Sequence, residues 1–230
     1  MNKTKLIVFD ADDTLWRELD YFVDYKRRFT EVLSPWCLPE EAMRLHTEAQ
    51  QRNIAYYGFG IISCVLSMIE VACDVCGEQV PTEVITTLRG FIREHMTRPI
   101  ELLPGVTETL EALRGRYPLL MLTKGDNYVQ QSKIDRSGLA RYFDETIIVP
   151  DKTTDTFRDI AHRLDLKPEH CLMVGNSLKS DIIPAIEAGW QGILIPYQLV
   201  WDMDVHEGDF SHERMQTLES IKDVPLSVGL

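Results

Sequence analysis

The sequence predicts an α/β fold, a doubly wound parallel sheet with an all-helical domain inserted into it. Three observations predict it. The apolar run Leu6-Ile7-Val8-Phe9 stops abruptly on Asp10-Ala11-Asp12-Asp13-Thr14, the pattern of a short buried strand that delivers acids at its carboxyl end. The next ~80 residues keep a helical period. From Pro104-Gly105 onward, short apolar runs alternate with helical segments, as the strands and crossover helices of a parallel sheet do.

Within the helical stretch, Tyr21, Phe22, Tyr25, Phe29, Val32 and Leu33 recur at helical spacing. Pro39-Glu40-Glu41 opens a helix, with proline and acids in its first turn, that runs to about Asn53. Tyr56-Tyr57-Gly58-Phe59-Gly60 reads as a loop, because two glycines break the period. Ile61 to Cys76 is apolar enough for the central helix of a small bundle, and Pro81-Thr82-Glu83 opens another that ends near Met96. Beyond Pro104-Gly105, Val106 to Arg116 reads as helix. Leu119 to Leu122 reads as a buried strand ending on Thr123-Lys124-Gly125-Asp126. Helix resumes from Asn127 to Ser137, with Gly138 as its stop. Thr146 to Val149 is a third strand, followed by Asp151-Lys152 and a helix to about Leu164. Cys171 to Val174 is a fourth, ending on Gly175-Asn176-Ser177-Leu178-Lys179-Ser180-Asp181. A helix to Ala188 and a fifth strand, Gly192 to Ile195, complete the alternation; beyond Pro196 there is no strong periodicity.

Composition narrows the partners. With 36 acids against 24 Lys and Arg the net charge is −12, a field that repels a phosphate polyanion and excludes nucleic acid. A small anionic substrate remains admissible where a metal and a few basic residues reverse the sign locally. The longest apolar stretch, Ile61 to Cys73, is too short for a bilayer and carries Glu70, so no membrane association is expected. The apolar run after Met1-Asn2-Lys3-Thr4-Lys5 is too short for a signal peptide. Five cysteines in such a chain are expected to be reduced and cytoplasmic. Cys73-Asp74-Val75-Cys76 has redox or zinc spacing, but no second pair completes a tetrahedral site; two buried thiols on a helix account for it better.

The clustered acids after Phe9 ask for a counter-ion, and oxygen ligands on a hard divalent cation answer that need. A strand running into a solvated acidic turn is the other reading, and these residues alone leave both open. The set grows when the other strand ends are added: Thr123 and Lys124, Lys152, then Asn176 and Asp181. In a parallel sheet those ends share one edge, so the groups converge in space. Together they suit phosphoryl transfer, with a carboxylate to attack phosphorus, a hydroxyl and an ammonium to hold oxygens, and a metal to neutralise the rest.

This pattern resembles the haloacid dehalogenase superfamily, over residues 1–15 and about 100–197. Its Asp-x-Asp-x-Thr motif is matched by Asp10 to Thr14, its strand-terminal Thr or Ser by Thr123, its Lys ahead of a helix by Lys152, and its Gly followed by paired acids in part by Gly175 to Asp181. The resemblance implies a Rossmann-like core of residues 1–15 and 100–230 with a type 1 helical cap over 16–99. It implies that Asp10 is the nucleophile, forming an aspartyl-phosphate, and that Asp12 protonates the leaving oxygen and then activates water. Mg²⁺ is implied as cofactor, held by the Asp10 carboxylate, the Asp12 main-chain carbonyl, Asp181 and Asn176. Thr123 and Lys152 are implied to bind the phosphoryl group, with Lys124 beside them. Asn176 stands where many relatives have Asp, which removes one negative charge from the metal site and predicts weaker Mg²⁺ binding. An acid at Asp12 favours phosphatase or phosphomutase chemistry over dehalogenation, because a halide needs no proton. The expected activity is Mg²⁺-dependent hydrolysis of a small phosphomonoester metabolite. The alternatives are a phosphomutase, a dehalogenase, or a catalytically weak phosphate-ligand binding protein. The oligomeric state is not indicated.

The remaining candidates carry plainer expectations. Asp13 should point away from Asp12 and be structural. Lys124 either serves binding or balances Asp126. Lys133, in Gln130-Gln131-Ser132-Lys133, reads as a solvated or helix-packing residue, and the six histidines show no metal spacing. Tyr56 to Gly60 is either a loop that closes over the organic group of a substrate or a helix–helix turn. Arg27 and Arg28 either contact an anionic leaving group or are exposed helix residues. Trp201 to Glu207 either covers the site or is a surface loop.

Overall fold

The computed structural model describes residues 4–77 and 79–230. Six strands form one sheet: β1 (Leu6–Phe9), β2 (Leu119–Lys124), β3 (Glu145–Val149), β4 (Cys171–Gly175), β5 (Gln191–Leu194) and β6 (Met215–Thr217). They lie in the order β3-β2-β1-β4-β5-β6, and every neighbouring pair is parallel. A strand without a polar position has to be covered on both faces, and β1 is such a strand. Leu6 and Val8 pack on one side with Phe157, Ile160 and Trp190. Ile7 and Phe9 pack on the other with Val106, Leu110 and Ile134.

The chain divides into two compact units, one running to Leu19 and resuming over Ile100–Leu230, the other being Asp20–Pro99. The division falls after Leu19, four residues later than the motif spacing places it. Trp16 is fully buried in the sheet unit, and Glu18 is ion-paired there. The helices α1 (Leu19–Leu33), α2 (Pro39–Tyr57), α3 (Ile61–Cys76) and α4 (Thr82–Thr97) fill the inserted stretch. Helix α2 runs four residues beyond the expected end: Tyr56 and Tyr57 complete its last turn, exposed. Gly58, at φ +67°, ends it, a conformation that an L side chain adopts only with strain. The expected burial of Cys73 and Cys76 is corrected. Cys73 is exposed and Cys76 half-buried, because the inward stripe of α3 runs through Ile61, Cys64, Val65, Met68 and Ala72.

In the sheet unit, α5 (Val106–Leu113) and α6 (Asn127–Ser137) contribute to one face of the sheet, α7 (Thr154–Arg163) and α8 (Ile183–Glu187) to the other. Strand β2 runs two residues further than its apolar run, so that Thr123 and Lys124 pair with Ile148 and Val149. Strand β6 was not expected. It is a three-residue edge strand paired with β5, too short and too polar to show a period. Among the described residues no helix is long and apolar enough to cross a membrane.

Candidate active site

From β1 the chain passes to β2 and β3 on one side, then crosses to β4 on the other. The strand order therefore reverses between β1 and β4, and the crevice beyond their carboxyl ends is where such sheets bind ligands. Asp10 follows β1 directly and is fixed at this point, its N–H donating to the Val174 carbonyl at 2.9 Å. Two other strand ends meet it. Lys152, which follows β3, donates from Nζ to Asp10 Oδ1 and, at 2.6 Å, to Asp181 Oδ1. The side chains of Lys152 and Asp181 are each only 1% exposed. Asp181 rides on a wide helical turn, Leu178–Ile182, that Ser177 caps by accepting from the Ser180 N–H at 2.9 Å. Its Oδ2 accepts from the Ser177 N–H at 3.0 Å.

Gly175, the last residue of β4, makes room for that carboxylate: a Cβ there would lie on top of the Asp181 carboxyl group. Gly175→Ala is therefore expected to displace Asp181 and lower turnover by ~10²-fold, the usual cost of misplacing a reacting group by about an ångström. The measurement is kcat of the purified variant; a rate within a factor of two of the parent contradicts the expectation.

The electrostatics follow from burial. Burial, with the charges of Asp181 and Asp12 beside it, outweighs the pull of Lys152 and raises the Asp10 carboxyl to about 7. Burial alone would lower the Lys152 ammonium, but the charges of Asp10 and Asp181 outweigh it and hold it above its ordinary value.

Asp12 is held by a different set of groups. Its Oδ1 accepts from Trp16 Nε1 at 2.6 Å and from Lys133 Nζ at 2.7 Å. Its Oδ2 accepts from Lys133 Nζ at 2.8 Å and from Gln130 Nε2 at 3.1 Å. Lys133 also donates to Glu18 Oε1 at 2.7 Å. The reading of Lys133 as a solvated or packing residue is corrected: its side chain is 2% exposed and doubly ion-paired. Sequence reasoning passed over Trp16, Glu18, Gln130 and Lys133 as parts of the site. A signal was present, since Gln130 and Lys133 stand one turn apart on the buried stripe that Val129 and Ile134 define. Asp13 does point away. At φ +60° it accepts from the N–H groups of Glu18 and Leu19 at 2.8 and 3.1 Å, closing the turn that precedes α1. Burial pushes its carboxyl up to about 7 against those hydrogen bonds.

Thr123 is buried at the end of β2. The Gln130 amide nitrogen reaches its Oγ1 at 2.5 Å as well as Asp12, so one side chain of α6 ties the two together. Lys124 is held by the loop that carries Asp181 and by the segment of Asp204. Its Nζ donates to Ser180 Oγ at 2.6 Å and Asp204 Oδ1 at 3.0 Å, and lies 5.5 Å from the Trp201 ring centre. It does not balance Asp126, whose carboxylate accepts from the Val129 N–H and caps α6. Arg27 pairs with Asp24 and Glu31, and Arg28 with Asp24 and Glu94.

The donor chemistry of this edge suits a hard cation. Among the described residues no three His, Cys, Asp or Glu side chains are grouped to hold a metal. The set is instead mixed: two carboxylates, a main-chain carbonyl and an amide. The end of the Asn176 amide lies 3.2 Å from Thr14 Oγ1, 3.3 Å from Asp10 Oδ2 and 3.2 Å from the Asp12 carbonyl oxygen. Turned nitrogen-inward it donates to all three; turned oxygen-inward it accepts from Thr14 Oγ1 at 3.2 Å and adds an oxygen beside Asp10 Oδ2 and the Asp12 carbonyl, a donor set that suits a hard cation. Charge points the same way. Asp10 and Asp181 share the ammonium of Lys152, and Asp12 and Glu18 share that of Lys133, a carboxylate-rich edge of the kind a divalent ion neutralises.

The comparisons with known proteins agree with this geometry. The family model for haloacid dehalogenase-like hydrolases matches residues 4–189. A glyceraldehyde 3-phosphate phosphatase of Methanothermobacter thermautotrophicus is 28% identical over 211 residues, covering 85% of this chain and 87% of the relative. The pyrimidine 5′-nucleotidase YjjG of Escherichia coli is 29% identical over 189 residues, covering 80% and 82%. The crystal structure of a haloacid dehalogenase-like family hydrolase from Xanthomonas campestris superposes with a TM-score of 0.87 at 30% identity, over 98% of this chain and 90% of that one. With the family's strand-end acids and lysine gathered on one edge of the sheet, and its model matched across most of the length, the chain belongs to the haloacid dehalogenase-like hydrolases.

Proposed function

We propose that this hydrolase is a Mg²⁺-dependent phosphatase of small phosphomonoester metabolites, working through an aspartyl-phosphate on Asp10. The observation that carries the reading is the meeting of Asp10, Lys152 and Asp181 at the switch point of the sheet, with the second carboxyl, Asp12, two residues on from the first. Asp10 attacks phosphorus, and the ester P–O bond breaks as Asp12 gives its proton to the leaving oxygen. Water then attacks the phosphorus of the aspartyl-phosphate, its proton passes to Asp12, and the bond from Asp10 to phosphorus breaks to release phosphate. Lys152 Nζ and Thr123 Oγ1 hold phosphoryl oxygens, and Lys152 offsets the repulsion between Asp10 and an anionic substrate. Mg²⁺, held by Asp10, Asp181, Asn176 and the Asp12 carbonyl, supplies neutralisation of the negative charge on the transferring group. A proton-bearing carboxyl at Asp12 is what an alkoxide leaving group requires and a halide does not. The five cysteines are free, which agrees with a reducing, cytoplasmic setting.

The test is phosphate release from a panel of monoesters with and without Mg²⁺, including a triose phosphate and a pyrimidine 5′-nucleotide. Metal-dependent turnover supports the reading; no release from any ester by folded protein overturns it. Asn176→Asp adds a charge to the ligand set and is expected to lower the half-saturating Mg²⁺ concentration several-fold. An unchanged Mg²⁺ titration speaks against Asn176 as a ligand.

A further inference from the structure

We propose that Lys133 is a positioning residue that aims the Asp12 carboxyl at the leaving oxygen. The inference rests on the role given above to Asp12 as the proton donor. Helix packing alone does not explain a lysine here. Its neighbours on the buried stripe of α6 are Val129 and Ile134, and an apolar residue would fill the place without the cost of burying an ammonium. What the ammonium adds is geometry. It spans both oxygens of Asp12 at 2.7 and 2.8 Å, so it fixes the plane of the carboxyl as well as its distance. Trp16 holds Oδ1 and Gln130 holds Oδ2. With the two Lys133 bonds, these contacts hold the ionised carboxylate from several directions, and the protonated form gives up one of them to aim its O–H at a substrate.

Glu18 is the other half of the device. It pairs with Lys133 at 2.7 Å and is itself largely buried. Glu18 lies in the turn that Asp13 closes, so its position is set by the same loop that carries Asp12. The ammonium thus keeps an anchor whichever way the Asp12 carboxyl turns to reach a substrate. Asp10, Lys152 and Asp181 form a separate cluster, so a change at Lys133 leaves the nucleophile's own contacts in place.

The leaving group reads this out. An alkyl monoester such as glycerol phosphate expels an alkoxide and needs the proton. p-Nitrophenyl phosphate expels a stable phenolate and needs it far less. In kcat/KM, Lys133→Met is expected to lose about 10²-fold on the alkyl ester and less than about tenfold on the aryl ester, a share of what general acid catalysis supplies. Glu18→Gln keeps the shape and a hydrogen bond while removing the anchor charge, and is expected to show the same skew with a smaller loss. It decides the matter if Lys133→Met does not fold by circular dichroism. Equal losses on both esters in the folded variants overturn the proposal and leave Lys133 a structural residue. Asp12→Asn is the control. The skew in that variant, together with its absence in the Lys133 and Glu18 variants, refutes the positioning role alone; no skew in Asp12→Asn removes the acid role and the proposal with it.

Discussion

Asp10→Asn is expected to abolish turnover, by about four orders of magnitude or more, while the protein stays folded. The amide has the shape of the carboxyl but not its nucleophilicity, and removal of a covalent nucleophile is among the largest single losses an enzyme shows. The fold should tolerate it because β1 is held by the apolar packing of Leu6, Ile7, Val8 and Phe9 and not by its terminal acid. Lys152 also keeps Asp181 as a partner. The measurement is phosphate release combined with acid-quench trapping of labelled phosphoenzyme, from the parent and from the variant. A variant that retains turnover, or a label that maps to a residue other than Asp10, refutes the assignment of the nucleophile.

Lys152→Met is expected to be costly in stability as well as in activity. The ammonium stands between two carboxylates that are otherwise buried. Without it they face one another across a medium that screens poorly, and breaking a buried pair in this way costs ~3–5 kcal/mol. Denaturant unfolding in the absence of Mg²⁺ measures the loss. The double variant with Asp10→Asn should recover part of it, since one of the two opposed charges is then gone and the effects of neighbouring residues do not add. A single variant within about 1 kcal/mol of the parent argues that Lys152 stabilises neither carboxylate.

Much of the fold is legible because the strands at the centre of the sheet, β1 and β4, have no polar position and β2 has an apolar run of four. Such runs are unambiguous once they alternate with helices, although β2 continues two residues past its apolar run. Asp10 and Thr123 stand at strand ends, and Lys152 and Asp181 follow β3 and β4 by three and six residues, which is why the alternation of strands and helices brings them to one edge. Lys133 and Glu18 are not legible in this way. A lysine on a helix is solvated in most proteins, and only the match of Gln130 and Lys133 to the stripe of Val129 and Ile134 marked this one as inward. Glu18 lies in a turn whose shape depends on Asp13 at φ +60°, and no period describes a turn. The direction taken by Lys124 was hidden for a similar reason. Its partners Ser180 and Asp204 lie 56 and 80 residues away in sequence, and the segment of Asp204 has no periodic signal. The last strand escaped because three residues at a sheet edge need no apolar pattern to pair.

The strand that opens the chain is the one that ends up in the middle of the sheet. Its neighbours on either side, β2 and β4, begin at Leu119 and Cys171. A ribosome adding about 5–20 residues per second delivers the first neighbour, β2, roughly six to twenty-three seconds after the first strand has emerged. For that interval Leu6-Ile7-Val8-Phe9 has no partner within the nascent polypeptide, while the helices from Leu19 to Thr97 need only local contacts. Assembly of the catalytic edge is thus a late event in biogenesis, and the apolar opening tetrapeptide is the segment most in need of shielding until it happens.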